Sequence, residues 1–381
     1  MSQKDRLRVM VIAGDPGGAS ALVPVIRELK ASQNFSVHVF AYYKAVNVFR
    51  QREVEFSALS NELTDEMITA KIVQGRPDLL LTGTSVNPYF LELQFIFNAR
   101  NCGIPSLAIL DFWSNYAQRF SLKGMDQKYL PDKIAVMDQL AVTEMVEAGF
   151  PADRLVITGQ PAFDRLIEMR QNLTPAERMA FRENLGVGEE DFLVMYISQP
   201  FMELFGSDES NPDYPGFTQQ TIFAELLHVL ESIAENAGFS ITLAILPHLR
   251  EIIPWWEEVE SSKIELLNLP FEEFEKQALA TDLVTGMTST RLVEASLLGR
   301  DTLSIQIGGR DIPFDMQRLG ITEMVFQQDT LEAFLTDALV DKKNFPTPSS
   351  VKLDGQAAFK AARLVKEMLG IEVLAMKENE C

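Results

Sequence analysis

The sequence predicts an α/β protein built from two doubly wound, parallel-sheet domains that face a central cleft. Three observations predict it. Apolar strands alternate with amphipathic helices through the first half of the chain and again through the second, which is the spacing of a parallel sheet with helical crossovers. The strands are continuous apolar runs rather than alternating ones, as expected when helices cover both faces. At 381 residues the chain also exceeds the usual size of one core.

In chain order, the first half reads as strands over 7–13, 36–41, 78–82, 106–111, 133–137 and 155–158. Helices lie between them over 19–31, 64–74, 89–101 and 139–148. The stretch 161–188 is helical and polar. Thr174 offers a cap there, Pro175 suits a first helical position and Glu177 can close a capping box. The first domain is therefore set at 1–165 and a helical connector at 166–190. A second domain over 191–345 repeats the plan. It has strands over 192–197, 240–246, 282–285 and 302–306, and helices over 218–237, 270–280, 290–298 and near 331–340. After the break Phe345-Pro346-Thr347-Pro348, residues 346–381 carry a last helix near 355–369, expected to pack back on the first domain.

Composition narrows the function classes. No apolar run reaches the roughly 18–20 residues of a membrane span. The start of the chain is polar, with no apolar segment of a secretory signal. Cys102 and Cys381 are too few for a disulfide framework. A cytoplasmic protein is the expectation. The net charge of −20 repels phosphate backbones, so nucleic acid is not an expected partner. A phosphorylated small ligand has to be met locally, by helix N-termini and a few basic side chains.

Candidate site residues sit where strands end, because open α/β sheets bind ligands outside the carboxyl ends of their strands. In the first half, Gly14-Asp15-Pro16-Gly17-Gly18 turns from strand to helix. Glycines let a ligand approach the backbone, and the helix N-terminus favours anions or sugar hydroxyls. Gly14, Gly17 and Gly18 are read as lining the cleft; a plain strand-to-helix turn looks the same. The motif is not GxGxxG, and no acidic residue ends the second strand, so a nicotinamide dinucleotide is not expected. Asp111 ends a strand beside Phe112 and Trp113. It is either a base acting on a hydroxyl or a cap for the next turn. Asp15 and Asp111 are the candidate catalytic residues. Asn115 and Arg119 join the acceptor side, where Arg119 either binds a carboxylate or phosphate or pairs with Asp111. Gly159-Gln160-Pro161-Ala162-Phe163-Asp164 reads as a turn and helix start with Asp164 on the surface.

In the second half, Ser198, a candidate nucleotide- or phosphate-binding residue, opens an irregular stretch over 199–217, long enough to be a lid or an insertion. Pro247-His248-Leu249-Arg250 follows a strand, and His248 with Arg250 could hold a pyrophosphate; His38 and His228 read as structural. Gly286-Met287-Thr288-Ser289-Thr290 leads into a helix, where hydroxyls and exposed amides suit a diphosphate. Glu294, one turn in, could accept both hydroxyls of a ribose. Ser289 or Thr290 is equally an ordinary helix cap. Gly308-Gly309-Arg310-Asp311 would line the same pocket, with Arg310 toward the phosphates. The sequence has no GxxxxGK[ST], HExxH, CxxC or GxSxG motif and no Asp-x-Asp pair, so neither a metal nor a cofactor is expected.

The layout resembles the two-Rossmann-domain glycosyltransferase superfamily, the GT-B architecture, which also includes the UDP-N-acetylglucosamine 2-epimerases. The turn at 14–18, Pro247-His248, and the run from Gly286 to Glu294 and Ala295 carry the resemblance. Two departures are Leu249 after the histidine and Gly286-Met287 where the family often has a glycine pair. The resemblance implies a C-terminal half that binds a nucleotide diphosphate-sugar, a UDP-sugar first, and an N-terminal half that binds the acceptor. It implies that Glu294 binds ribose and that Ser289 and Thr290 bind phosphate. The expected function is a metal-independent glycosyltransferase. Asp15 and Asp111 would deprotonate the acceptor, while the helix N-terminus, His248 and Arg250 would stabilise the departing diphosphate. The alternatives are a nucleotide-sugar 2-epimerase of the same fold and a non-catalytic nucleotide- or sugar-binding protein.

Overall fold

The computed structural model describes residues 6–121, 127–310, 317–340 and 354–371. Asp311, the break at 345–348 and Cys381 lie outside the described residues. The chain divides into two units, Met1–Arg165 with Leu353–Cys381, and Leu166–Lys352.

Unit 1 runs β1 (Leu7–Ala13), α1 (Pro16–Ala31), β2 (Phe35–Ala41), α2 (Ala45–Gln51), β3 (Ser57–Ala58), α3 (Asp65–Gly75), β4 (Leu79–Thr82), α4 (Leu91–Asn101), β5 (Ser106–Ile109), α5 (Tyr116–Arg119), β6 (Lys133–Val136), α6 (Gln139–Glu147) and β7 (Leu155–Ile157). Its seven strands form one parallel sheet in the order β3-β2-β1-β4-β5-β6-β7. The chain lays down β1, moves outward through β2 and β3, then returns to the other side of β1 with β4. The switch point lies between β1 and β4, where successive crossovers diverge and leave room for a ligand. Side chains alternate along β1. Val9, Val11 and Ala13 enter one core with α1, and Met10 and Ile12 enter another with Ile68 of α3 and Leu91 and Phe95 of α4. From Val9 to Ala13 both faces are buried, which is why the strand is apolar past the exposed Arg8.

The second unit begins within α7 (Asp164–Asn172) and continues through α8 (Pro175–Asn184), β8 (Phe192–Ile197), α9 (Phe201–Phe205), α10 (Gln219–Ala234), β9 (Ile241–Leu246), β10 (Glu265–Asn268), α11 (Phe274–Ala280), β11 (Leu283–Gly286), α12 (Thr290–Leu297), β12 (Asp301–Ile305), β13 (Glu323–Val325) and α13 (Gln328–Leu339). Its six parallel strands have the order β10-β9-β8-β11-β12-β13, which puts the switch point between β8 and β11. Thr174 and Glu177 make the capping box that starts α8. Arg182, 1% exposed, fastens α8 to the sheet. Its guanidinium donates to Asp282 Oδ2 and Ala280 O at 3.0 Å and to Gly188 O at 2.8 Å.

α14 (Ala357–Met368) belongs to unit 1. Its Ala358, Ala361, Leu364 and Val365 join the core of Val9 and Val11. Asp164 caps it, accepting from the Ala357 and Ala358 amides at 3.0 and 2.8 Å. Asp164 is thus a capping residue rather than a bare surface carboxylate, and burial raises its pKa. Gly159 has φ +90°, and a Cβ there would lie 2.8 Å from that of Ala357.

Several short elements depart from the sequence reading. β10 carries exposed Glu265 and Asn268 around half-buried leucines, so it shows no apolar run. The helix expected over 270–280 opens as a 3₁₀ turn at Phe271–Glu273 and becomes α11 at Phe274. Among the described residues, no helix is long and apolar enough to cross a membrane.

Candidate functional site

Each switch point carries a polar cluster. In unit 1, the turn after β1 meets the loop after β4. Asp15 accepts from the Val86 amide at 2.8 Å and from Asn87 Nδ2 at 3.1 Å. Asp111, just beyond β5, accepts from Thr84 Oγ1 at 2.6 Å and forms an ion pair with Arg119. Both candidate acids are therefore anchored on residues 84–87. Arg119 is buried, its Nε donates to Ser114 O at 2.9 Å, and its Nη1 also reaches Thr84 Oγ1 at 3.2 Å. Of the two roles left open for Arg119, the structure shows the pairing with Asp111. Asn115, exposed and with φ 56°, stands just before α5 and makes no side-chain capping bond to it.

The glycines of this turn are needed for packing. A Cβ on Gly14 would lie 2.2 Å from the Tyr42 ring, one on Gly17 2.0 Å from Asp111 Oδ2, and one on Gly18 2.6 Å from Thr84 O. The turn closes on the protein's own side chains, and this close approach places Asp111 beside the start of α1.

Glu92, at the start of α4, was not singled out by sequence. It is 3% exposed and accepts from the Gly14 amide at 2.7 Å, from Ser85 Oγ at 2.8 Å and from the Tyr42 hydroxyl. Burial pushes its carboxyl up to about 7, against the pull of those donors. Burial, and then the Glu92 charge, raise the Tyr42 phenol well above its usual 10.

In unit 2, the end of β8 meets the turn after β11. The Thr288 amide donates to Gln199 Oε1 at 2.8 Å, and Gln199 Nε2 donates back to Thr288 Oγ1 at 3.3 Å. Ser289 caps α12, accepting from the Arg291 amide at 3.2 Å, and Thr290 begins the helix. Glu294 pairs with Arg291 at 2.6 Å. The Arg291 guanidinium lies 4.5 Å from the Phe274 ring centroid and 5.3 Å from that of Phe271. Gly286 ends β11 with its Cα hydrogens against Ile197.

Glu251 links the remaining strand ends. It accepts from Ser198 Oγ at 2.7 Å, the His248 amide at 2.6 Å and Trp255 Nε1 at 3.0 Å. His248 Nδ1 accepts from the Arg250 amide at 3.1 Å, so the neutral imidazole carries its proton on Nε2. Burial lowers the His248 pKa. Arg250 is exposed. Arg310 turns to the 199–217 stretch, donating to Glu209 O at 2.8 Å and lying 5.7 Å from the Tyr214 centroid. That stretch is packed, with Phe201 stacked on Phe217 at 5.4 Å and a Gly216 Cβ allowed only 2.1 Å from Gly308 O. Among the described residues, no group of three or more His, Cys, Asp or Glu side chains is arranged to hold a metal ion.

No protein-family model matches the chain, and no curated protein matches it. Solved structures do. The Methanocaldococcus jannaschii UDP-GlcNAc 2-epimerase is 13% identical with a TM-score of 0.65, covering 95% of this chain and 100% of its own. The Neisseria meningitidis UDP-GlcNAc 2-epimerase bound to UDP-GlcNAc is 14% identical with a TM-score of 0.62, covering 95% and 100%. Anabaena HepE in complex with UDP and glucose is 13% identical with a TM-score of 0.57, covering 96% and 100%. The likeness is one of fold: the chain shares the α/β architecture, with two parallel sheets, of these solved structures.

Proposed function

We propose that this chain binds a UDP-sugar and inverts the configuration at C2 of the sugar, as a nucleotide-sugar 2-epimerase. The observation that carries this reading is the coincidence, at the switch point of unit 2, of the 286–290 turn, the Ser289-capped α12 and Glu294. A helix N-terminus offers amide donors to a diphosphate, and the hydroxyls of Thr288, Ser289 and Thr290 add to them. His248 contributes its Nε2–H, and Arg250 and Arg310 supply positive charge near the same strand ends. Glu294, one turn into α12, accepts from the ribose hydroxyls.

Asp15 and Asp111 of unit 1 take the acid–base roles, with Gly14, Gly17, Gly18, Asn115 and Arg119 around them. One group removes the proton at C2 as the C1–O bond to UDP breaks, leaving a glycal and bound UDP; UDP then adds back to C1 while a proton is delivered to the opposite face of C2, so nothing is consumed and the nucleotide leaves with its sugar. Arg119 keeps Asp111 in place for this. The like-folded UDP-GlcNAc 2-epimerases support this choice over the glycosyl transfer expected first from the sequence. Transfer stays as the second reading, because a like-folded protein was solved with UDP and glucose. It would use the same carboxylates on an acceptor hydroxyl.

Incubating the protein with UDP-GlcNAc in D₂O tests the reading. The expected product is the C2 epimer carrying one deuterium. Release of UDP with an equal amount of free GlcNAc and no epimer would assign glycosyl transfer, here to water, instead. No binding of UDP in a titration would overturn both.

A further inference from the structure

Glu92 is buried beside the proposed acid–base residues yet touches neither. Its bonds run outward in two directions. The Gly14 amide, one residue before Asp15, donates to Oε1 at 2.7 Å. The Tyr42 hydroxyl donates to Oε2, and Asn87 Nδ2 donates to that hydroxyl at 3.0 Å and to Asp15 Oδ1 at 3.1 Å. Ser85, in the same loop as the Val86 amide that holds Asp15, donates to Oε2 as well. Two routes therefore lead from one carboxylate to Asp15, one through backbone and one through Tyr42 and Asn87.

We propose that Glu92 is a positioning residue for Asp15, fixing the turn that carries it and the amide that orients it. The proposal rests on the reading of Asp15 as an acid–base group. Among the described residues, no cation pairs with the buried carboxylate. Of the titratable groups on the elements around it, Tyr42 comes from the end of β2 and Asp15 from the β1–α1 turn. Asp65 of α3 is engaged with Asn98, farther along α4, and Lys128 lies over Phe97 on that same distant part. Burying a charge without a partner is unfavourable. A neutral glutamine would fill the same space, but it could not accept from three donors, because its amide nitrogen would face the Tyr42 and Ser85 hydroxyls. Retaining the acid costs stability and holds the donors. The Tyr42 phenol stays protonated throughout, so only the Glu92 side of this contact changes with pH.

The test is Glu92→Gln and Tyr42→Phe in the full chain, with turnover of UDP-GlcNAc, UDP titration and thermal melting followed across pH. Glu92→Gln should lower kcat by at least about 10-fold, the scale expected when a reacting group is misplaced, with UDP affinity held within about twofold. Wild-type kcat should rise with pH through about 7, and the variant should lose that limb. Above that pH the variant should melt higher than wild type, which a merely structural carboxylate would not give. Tyr42→Phe should also lower kcat, and it keeps the test open if Glu92→Gln does not fold. A folded Glu92→Gln or Tyr42→Phe with wild-type kcat, or a variant that retains the acid limb, overturns the positioning role alone. A wild type that turns over no UDP-sugar removes the functional reading and this proposal together.

Discussion

Glu294 shows how a single carboxylate can be weighed. It pairs with Arg291, whose guanidinium is already held over two rings. Both groups are part-exposed, and such a pair adds little to stability. A ribose, by contrast, would draw charge-assisted hydrogen bonds worth about 1.5–3 kcal/mol each. Glu294→Ala should therefore weaken UDP binding by about 10- to 100-fold and leave melting within a degree or two. Titrating wild type and variant with UDP and its 2′-deoxy analogue measures this; equal affinities in all four pairings would exclude ribose recognition. The Ser289 cap was legible in sequence because its partner, the Arg291 amide, lies within one turn. Glu92, Glu251 and Gln199 were not. Glu92 reaches Gly14 across 78 residues, Glu251 reaches Ser198 across 53, and Gln199 reaches Thr288 across 89. Those pairings exist only after the sheets assemble, and local pattern carries no trace of them.

At the scale of elements, the long central strands were legible because burial on both faces leaves them almost wholly apolar, as in β8 and, but for Thr242, β9. β3, with two residues, and β10, half exposed, lack that signature because they lie at sheet edges. Arg182 shows what holds an element that periodicity alone would leave as a polar connector. It is buried in the seam between α8, the loop before β8 and the start of β11, and it satisfies Asp282 together with three backbone carbonyls. Arg182→Met would strip Gly188 O and Asp191 O of their side-chain donor and leave Asp282 to Arg178 and the Leu193 amide. It should lower unfolding free energy by about 3 kcal/mol, read as a drop in the urea midpoint without a change in slope. An unchanged midpoint would mean that α8 docks by its apolar side alone.

Across the whole molecule, the net charge of −20 opposes the anionic ligand proposed for it. The repulsion acts at long range and is screened by salt, while the contacts at α12 are short. Added salt should therefore speed UDP association, the reverse of electrostatic steering, as the Debye length falls from about 30 Å at about 0.01 M to about 8 Å at about 0.15 M. Stopped-flow rates that fall with salt would point instead to a locally positive entrance. The interrupted make-up of unit 1 bears on how the chain is born. Its sheet is complete by β7, yet α14, which covers part of that sheet's core, is encoded after the whole of unit 2. During synthesis at about 5–20 residues per second, the earlier-made unit waits with apolar surface uncovered while the later-made one can close first. A nascent chain stalled before α14 would thus be the form most in need of a chaperone, and the last helix acts as the latch that ends that exposure.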